Sequence, residues 1–368
     1  MKFKYLEGLN TLRFFAAFFV IISHANLSLI KLGICRDLRL DVLDRGGDAV
    51  DFFFTLSGFL ITYLLIIELH ETKTVSIKNF YLRRVYRIWP LYFLIVLIGF
   101  LFFGFLYPSV YKQQYFTFSI PEGLAMFILF IPNYAAKNYM VGFLHPLWSI
   151  GVEEQFYLFW APLMKGLKKW LLPMIATFVV ASTSFYILLY NGSFHFTTNW
   201  NNFLLTQKFY AMAIGAVFAY ILYFKFKWYQ QSFFSNKYAQ LIIWLIIGGH
   251  YLIGFSFSYN LYFKIVLAFL YGLLILNVSV IKNKLFSLEN KWLTYLGVIS
   301  YGLYMYHMLV DYVLRLIAEK AVGMRVPDTV LIPMYYISLL AGAIVIAGFS
   351  HKYFEKYFLD LKNRLHKQ

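Results

Sequence analysis

The sequence carries little charge for its length. Of 368 residues, only 14% are Asp, Glu, Lys or Arg, whereas 61% are hydrophobic. A typical soluble domain is about a quarter charged and about half apolar. The composition therefore excludes a disordered chain, a coiled coil and a soluble nucleic-acid-binding protein. The excess apolar surface must face a medium other than water, and lipid fits that requirement.

Cysteine is almost absent. Cys35 is the only one in the chain, so an intrachain disulfide cannot form and a disulfide-stabilised secreted scaffold is excluded. Acidic residues are also scarce, with 17 Asp and Glu against 33 Lys and Arg, for a net charge of +16. In a membrane protein such an excess sets orientation, because basic residues collect in cytoplasmic loops.

Ten hydrophobic segments are long enough to cross a bilayer, which takes about 20 mostly apolar residues. They are residues 11–30, 50–69, 88–107, 145–164, 170–190, 203–223, 238–255, 261–281, 293–317 and 329–350. A further segment, residues 121–134, is shorter and contains Pro121 and Pro132, which favours a re-entrant or interfacial helix. We therefore predict an all-α, polytopic integral membrane bundle of about ten transmembrane helices plus this short helix.

The distribution of basic residues supports this count. With the N-terminus in the cytoplasm, 21 of the 33 basic residues fall on the inner side and about nine on the outer side, in agreement with the positive-inside rule. Counting residues 121–134 as a span would invert the orientation of the rest of the chain and remove the excess of basic residues on the inner side. Both termini are predicted to be cytoplasmic, with a transmembrane domain over residues 1–350 and a basic cytoplasmic tail over residues 351–368.

Ionisable side chains inside the predicted spans are the candidate functional residues, because each is costly in a membrane unless it is paired or faces a cavity. Arg13 and His24 lie eleven residues apart in the first span, which places them on one helix face about 16 Å apart. The alternative is that Arg13 snorkels and His24 is structural. Ser149 and Glu153 share a face of the fourth span, and the glutamate needs a partner such as histidine or arginine.

Five polar groups have similar predicted depths. At 1.5 Å per residue from the inner boundary of each span, they lie roughly 17–22 Å into the bilayer. They are His24, Ser57, Ser149, Glu153 and His307. Four different helices therefore bring polar groups to one layer, which indicates a shared site.

A cluster of arginines precedes the third span. In the stretch NFYLRRVYRIWPLYF, Arg83 and Arg87 share a helical face and Arg84 lies beside them. Guanidinium groups suit bidentate recognition of phosphate, but the same cluster also serves as a topology signal or a contact with anionic lipids. The loop is too short for nucleic acid, and no nucleic-acid partner is expected.

These segments together resemble the acyltransferase-3 family of integral membrane acyltransferases, which includes O-antigen and other surface-polysaccharide O-acetyltransferases. GLNTLRFFAAFFVIISH is similar to the family's motif of a basic residue, ten intervening residues and a histidine, ending at Arg13 and His24. LWSIGVEEQFYL resembles its Ser–Glu block and RRVYRIWPLY its arginine block. WLTYLGVISYGLYMYH resembles its penultimate-helix signature, with Tyr301 and His307.

Two further blocks carry accessory residues. GGDAVDFFFTLSGFLI resembles the family's glycine–aspartate block and contains Asp48, Asp51 and Ser57. The tail HKYFEKYF places Glu355 at the family's usual acidic position. By this resemblance, residues 1–350 form an acyltransferase-3-like transmembrane domain.

The resemblance implies a bacterial inner-membrane enzyme that moves an acyl group, usually acetyl, from cytosolic acetyl-CoA or another acyl-CoA to a hydroxyl of a glycan or lipid-linked saccharide, without a metal. Arg83, Arg84 and Arg87 would then dock the phosphates of coenzyme A. His24 would be the general base, and an acyl-histidine intermediate is the second possibility.

Two other residues complete the expected site. Arg13 would position the phosphate or the pantetheine arm, and Glu153, with Ser149 nearby, would orient the imidazole as the acid does in a serine-protease triad. A polytopic transporter or flippase of a lipid-linked or anionic substrate is the alternative. It usually shows inverted repeats and paired broken helices, and neither is evident in the sequence.

The charge split generates a topology prediction. Reporter fusions after Tyr139 and after Tyr190 should both report the outer side, because residues 121–134 do not cross and the spans before each fusion are odd in number. A cytoplasmic signal at either position would contradict the ten-span arrangement.

Overall fold

A computed structural model describes residues 6–34, 43–254 and 260–365, and all regular secondary structure in these ranges is helical. Cys35 and the basic residues of segments 1–5, 35–42 and 366–368 lie outside the described ranges. The ten long helices are α1 (Leu9–Lys31), α2 (Gly46–Thr72), α3 (Ile77–Leu101), α7 (Leu147–Gly166), α8 (Leu171–Tyr190), α10 (Phe209–Phe224), α12 (Lys237–Leu252), α13 (Leu261–Val280), α15 (Ser300–Gly323) and α16 (Asp328–Ser350).

Shorter helices connect or extend these. They are α4 (Tyr107–Tyr111), α5 (Ile120–Ile128), α6 (Pro132–Asn138), α9 (Thr198–Leu204), α11 (Phe226–Gln231), α14 (Lys291–Val298) and α17 (Lys356–Leu365). Two π-helical turns, Phe102–Leu106 and His351–Glu355, join α3 to α4 and α16 to α17 without a break in the helical path.

Each of the ten predicted spans overlaps one of the ten long helices, and the ninth, residues 293–317, is divided at Ile299 between α14 and α15. In the described part of the chain, seven helical segments are long and apolar enough to cross a membrane, namely those built on α1, α2, α3, α8, α10, α13 and α16. The chain is therefore a polytopic helical membrane protein. The number of crossings and the side of each terminus stay predictions.

The predicted re-entrant segment folds as two short helices, α5 and α6. They have nine and seven residues, so neither is long enough to cross a bilayer. The chain turns between them at Phe130, whose φ is 55°, and the Phe130 carbonyl oxygen accepts a hydrogen bond from Gln155 of α7 at 2.7 Å. The turn is thus fixed against the bundle.

Helix α2 is the most buried of the seven apolar segments and contacts α1, α7, α10 and α13. Its closest neighbour is α10, and two glycines make this approach possible. A Cβ atom on Gly58 would stand 2.0 Å from the Met212 carbonyl oxygen, and one on Gly215 would stand 2.0 Å from the Thr55 carbonyl oxygen. Close helix packing through small residues is typical of membrane bundles.

This packing predicts opposite effects for two glycine substitutions. Gly58→Ala should destabilise the protein by about 1–3 kcal/mol, because backbone atoms of α10 must move. Gly248→Ala is the matched control, since its Cβ would meet nothing within 4 Å, and replacing an unhindered helical glycine stabilises by about 0.5–1 kcal/mol. Thermal unfolding in detergent measures both, and equal Tm values for the two variants would contradict the packing.

Candidate functional site

A cavity enters the bundle between α1, α2, α3, α7 and α15, and its walls carry many of the predicted site residues. Along α2 it extends from Leu64 to Val50, which is about 21 Å of helix. With its mouth it encloses about 1060 Å³. The predicted site residues on its walls are Arg13, Ser57, Arg84, Arg87, Ser149, Glu153 and Tyr301.

Three guanidinium groups line this cavity, Arg13 from α1 and Arg84 and Arg87 from the first turns of α3. Arg84 lies over the rings of Phe80 and Tyr157, with its guanidinium carbon 5.5 and 5.6 Å from their centroids. Its Nε atom is buried without a hydrogen-bond partner. None of the three arginines forms an ion pair with a carboxylate of the described residues.

The third predicted arginine of this cluster has a different environment. Arg83 forms an ion pair with Glu68 at 2.9 Å, and the same carboxylate accepts the backbone N–H of Ser76 at 2.7 Å. Ser76 is also the N-cap of α3, where its side chain accepts from the backbone N–H of Asn79. Arg83 therefore ties the end of α2 to the start of α3 and is not on the cavity wall.

Glu153 belongs to a network of hydroxyl groups in the middle of the cavity. The Tyr157 hydroxyl, one turn further along α7, donates to Glu153 Oε2 at 2.6 Å. Ser57 Oγ of α2 lies 3.5 Å from the same oxygen and forms a short hydrogen bond with the Tyr157 hydroxyl. Two helices thus satisfy the buried carboxylate, and its partners among the described residues are hydroxyl groups and not a histidine or an arginine.

A second hydroxyl pair lines the cavity where α7 meets α15. Ser149 Oγ lies 2.7 Å from the Tyr304 hydroxyl, and both are 3.2 Å from the Pro146 carbonyl oxygen. One turn earlier in α15, the Tyr301 hydroxyl donates to the Ile88 carbonyl oxygen of α3 at 2.8 Å. These tyrosines hold α15 against its two neighbours.

His24 and His307 lie side by side across the interface of α1 and α15. His24 Nδ1 is 3.2 Å from His307 Nε2 and 3.0 Å from the Val20 carbonyl oxygen. His307 Nδ1 is 2.7 Å from the Tyr304 carbonyl oxygen. His307 is completely buried, whereas His24 is partly exposed. Through Tyr304 and Ser149, this pair adjoins the cavity.

The expected partnership of Glu153 with His24 is not present in this arrangement. The hydrogen bonds of Glu153 go to Tyr157 and Ser57, and those of His24 go to Val20 and His307. The residue beside the His24 imidazole is another histidine.

Asp48 and Asp51 lie away from the cavity, at the start of α2. Asp48 Oδ2 is 3.0 Å from His250 Nε2 and its Oδ1 is 3.4 Å from Lys264 Nζ. Asp51 Oδ1 is 2.7 Å from Lys208 Nζ. These carboxylates join α2 to α12, α13 and the start of α10, and their geometry is that of a buried structural network.

Glu355 lies in the π-helical turn after α16, near the start of α15. Its Oε1 atom accepts from Ser350 Oγ at 3.2 Å, and Ser350 accepts from the Tyr306 hydroxyl at 3.0 Å. A Cβ atom on Gly302 would stand 3.3 Å from the same carboxylate oxygen. Glu355 thus contributes to the hydrogen bonds that join α15 to the end of α16.

Sequence analysis missed four residues of this region. Tyr157, Tyr304 and Asp311 lie three or four residues from Glu153 or His307, so the helical repeat around these residues contained the signal. The fourth, His145, precedes α7 and is within electrostatic range of both His24 and His307. Nothing in its local sequence indicates this position, which depends on the packing of the turn Gly142–Leu144 against α15.

The arrangement defines a membrane-embedded site in which a cationic cavity adjoins a histidine pair. Comparison with known sequences gives its class: residues 6–349 match the acyltransferase domain family, the acyltransferase-3 family that the motifs resemble. The match covers nearly the whole chain, and the chain belongs to this family. This membership favours an acyltransferase over the transporter alternative.

Two relatives are similar over large parts of this chain. The peptidoglycan O-acetyltransferase OatA of Listeria monocytogenes is 28% identical over 176 residues, covering 45% of this chain and 25% of that protein. The O-acetyltransferase OatA of Staphylococcus aureus is 25% identical over 342 residues, covering 83% of this chain and 50% of that protein. The chain therefore spans half or less of these relatives' length. No solved structure matches it.

Proposed function

We propose that the protein is a membrane O-acyltransferase that moves an acetyl group from acetyl-CoA to a hydroxyl of a glycan or lipid-linked saccharide. The observation that carries this proposal is the cavity that combines three arginines without carboxylate partners with a hydroxyl-lined wall next to a histidine pair. Family membership supports acyl transfer, and the names of both relatives support O-acetylation.

The arginines form the donor-binding end of the cavity in this proposal. A guanidinium group binds phosphate oxygens through two parallel hydrogen bonds, and coenzyme A carries several phosphates. Arg84 and Arg87 lie at the start of α3, the end of the bundle predicted to face the cytoplasm, where coenzyme A is available. Arg13 lines the same cavity from α1. Arg83 keeps α2 and α3 together and has no direct role in binding the donor.

The rest of the cavity suits the arm that carries the thioester. Its walls are mostly apolar, with hydroxyl groups of Ser57, Tyr157, Ser149 and Tyr304 at intervals. Such a slot buries a long thin chain while giving its amides hydrogen-bond partners. The Ser149–Tyr304 pair then brings the thioester close to the histidines.

His24 acts as the general base in the proposed mechanism. The acceptor oxygen attacks the thioester carbonyl carbon, a C–O bond forms, and the C–S bond breaks. His24 takes the hydroxyl proton and returns it to the departing thiolate of coenzyme A, which needs a group that exchanges protons near neutral pH. An acyl-histidine intermediate is the second route, since imidazole is also a nucleophile.

A glycan is the proposed acceptor because of the relatives. One of them is named for peptidoglycan, a polymer assembled outside the cytoplasmic membrane, and such a substrate would approach from the side opposite to the arginines. A site between a cytosolic donor and an external acceptor explains why the histidines lie well inside the bundle.

The proposal is tested with the purified protein in liposomes. Radiolabelled acetyl-CoA is supplied on the side of the arginines, and glycan fragments or lipid-linked saccharides are supplied on both sides. Label should pass to the saccharide in an ester that mild base removes, and His24→Ala should lose this transfer while still binding acetyl-CoA. Saccharide moved across the bilayer without acetylation would instead identify a flippase.

The two classes of arginine should give different kinetics. Arg87→Ala removes a charge-assisted phosphate contact of about 1.5–3 kcal/mol, so the KM for acetyl-CoA should rise about ten-fold or more. Arg83→Ala is the matched control and should instead lower the Tm with little change in KM, because it breaks the ion pair with Glu68. An unchanged KM and turnover in Arg87→Ala would assign that arginine to lipid anchoring.

The hydrogen bonds of Glu153 predict which residues act together. Glu153→Gln and Tyr157→Phe disturb the same hydrogen bond, so the double variant should lose little more activity than the worse single variant. Glu153→Gln combined with a partly active His24 variant, such as His24→Gln, should show losses that multiply, because the two side chains do not touch. Coupling between Glu153 and His24 would restore the serine-protease-like assignment.

A further inference from the structure

The contacts of the two histidines determine which nitrogen atoms carry protons. A carbonyl oxygen only accepts hydrogen bonds, so a ring nitrogen 2.7–3.0 Å from one is a protonated nitrogen. His307 Nδ1 faces the Tyr304 carbonyl at 2.7 Å, and His24 Nδ1 faces the Val20 carbonyl at 3.0 Å. Both neutral imidazoles therefore carry hydrogen on Nδ1, and both Nε2 atoms have a free electron pair.

The distance between the rings fits the same assignment. His24 Nδ1 is 3.2 Å from His307 Nε2, so the His24 N–H is shared between the Val20 carbonyl and the electron pair of His307. The opposite direction would place an unprotonated His307 Nδ1 against the Tyr304 carbonyl, two acceptors at 2.7 Å. His24 Nε2 has no hydrogen-bond partner in the part of the chain that the structure describes.

We propose that His307 is a positioning residue, whose Nε2 accepts a hydrogen bond from His24 Nδ1–H and thereby holds His24 Nε2 as the unprotonated, reactive nitrogen. This inference rests on the proposed role of His24 as base. In a serine-protease triad a carboxylate does this work by binding the histidine's other nitrogen. Here the neutral imidazole of His307, oriented by the Tyr304 carbonyl of α15, has the role of that carboxylate. Glu153 instead lines the proposed donor cavity.

A second contact one turn away keeps the two helices in register. Ser28 of α1 donates to Asp311 Oδ2 of α15 at 2.8 Å, and the Tyr335 hydroxyl donates to Asp311 Oδ1 at 2.8 Å. Ser28 follows His24 by four residues and Asp311 follows His307 by four. The Ser28–Asp311 contact therefore lies one helical turn beyond the His24–His307 contact, on the same faces of α1 and α15. The Ser28–Asp311 hydrogen bond therefore helps to fix the distance between the two imidazole rings.

The proposal separates two substitutions of one side chain. His307→Leu removes the acceptor and should lower kcat by about 10²–10⁴-fold, the usual contribution of a positioned acid or base, with little change in the KM for acetyl-CoA. His307→Gln keeps an acceptor oxygen near the Nε2 position and should restore kcat to within about ten-fold of the original protein. Ser28→Ala removes the neighbouring hydrogen bond to Asp311 and serves as the packing control, with a decrease in kcat of only a few-fold.

Spectroscopy tests the tautomer without relying on activity. The protein is labelled with ¹⁵N in its histidine rings and studied in bilayers by solid-state NMR, in which protonated and unprotonated ring nitrogens resonate separately. The His24 signals are assigned by their absence in His24→Ala. They should show a protonated Nδ1 and a bare Nε2, with a mixture of tautomers in His307→Leu.

Four results would overturn the inference. Three of them are a His24 protonated on Nε2, equal losses of kcat in His307→Leu and Ser28→Ala, and a His307→Gln variant as poor as His307→Leu. Inactive His24→Ala combined with fully active His307→Leu would reject the positioning role and leave the proposed function intact. Transfer retained by His24→Ala would reject the base assignment itself, whatever tautomer the spectra show.

Discussion

Every polar side chain inside this bundle must find its partner within the protein, because lipid offers no hydrogen bonds and screens no charge. This constraint explains the arrangement of the interior. Asp48 and Asp51 meet two lysines and a histidine from three other elements, Glu153 meets two hydroxyl groups, and Asp311 accepts from a serine and a tyrosine. Most of these contacts join different helices, several of them distant in the chain, so satisfying the polar groups also determines which helices pack together.

The arginines of the cavity depart from this rule. Arg13, Arg84 and Arg87 line it, and none of them forms an ion pair with a carboxylate of the described residues. The two kinds of site therefore differ in physical terms. Asp48 and Asp51 meet basic side chains and hold helices together, whereas the three arginines have no such partner in the described part of the chain, which is the basis of the proposed anion binding.

Two of the helices that line the cavity are less uniformly apolar than the seven apolar segments. Helices α7 and α15 carry Glu153, His307 and Asp311 and do not meet the apolar criterion that seven other segments meet. Their polar side chains face cavity and interface, while α2 lies across from them and packs closely on α10 through Gly58. Helix α2 thus packs closely on α10 with one face and lines the cavity with another.

The sequence by itself determined the class of fold, the approximate position of the ten long helices and the family, and it predicted a common depth for His24, Ser57, Ser149, Glu153 and His307. It could do so because hydropathy, helical periodicity and local motifs are properties of single segments. The sequence did not determine which side chains of different helices contact each other. Arg83 and Arg87 share one helical face in the sequence, yet one binds Glu68 and the other lines the cavity. Glu153 and His24 have similar predicted depths, yet each has other partners. Depth follows from position along one helix, but contact depends on the rotation of each helix about its axis, and only packing of the whole bundle decides that rotation.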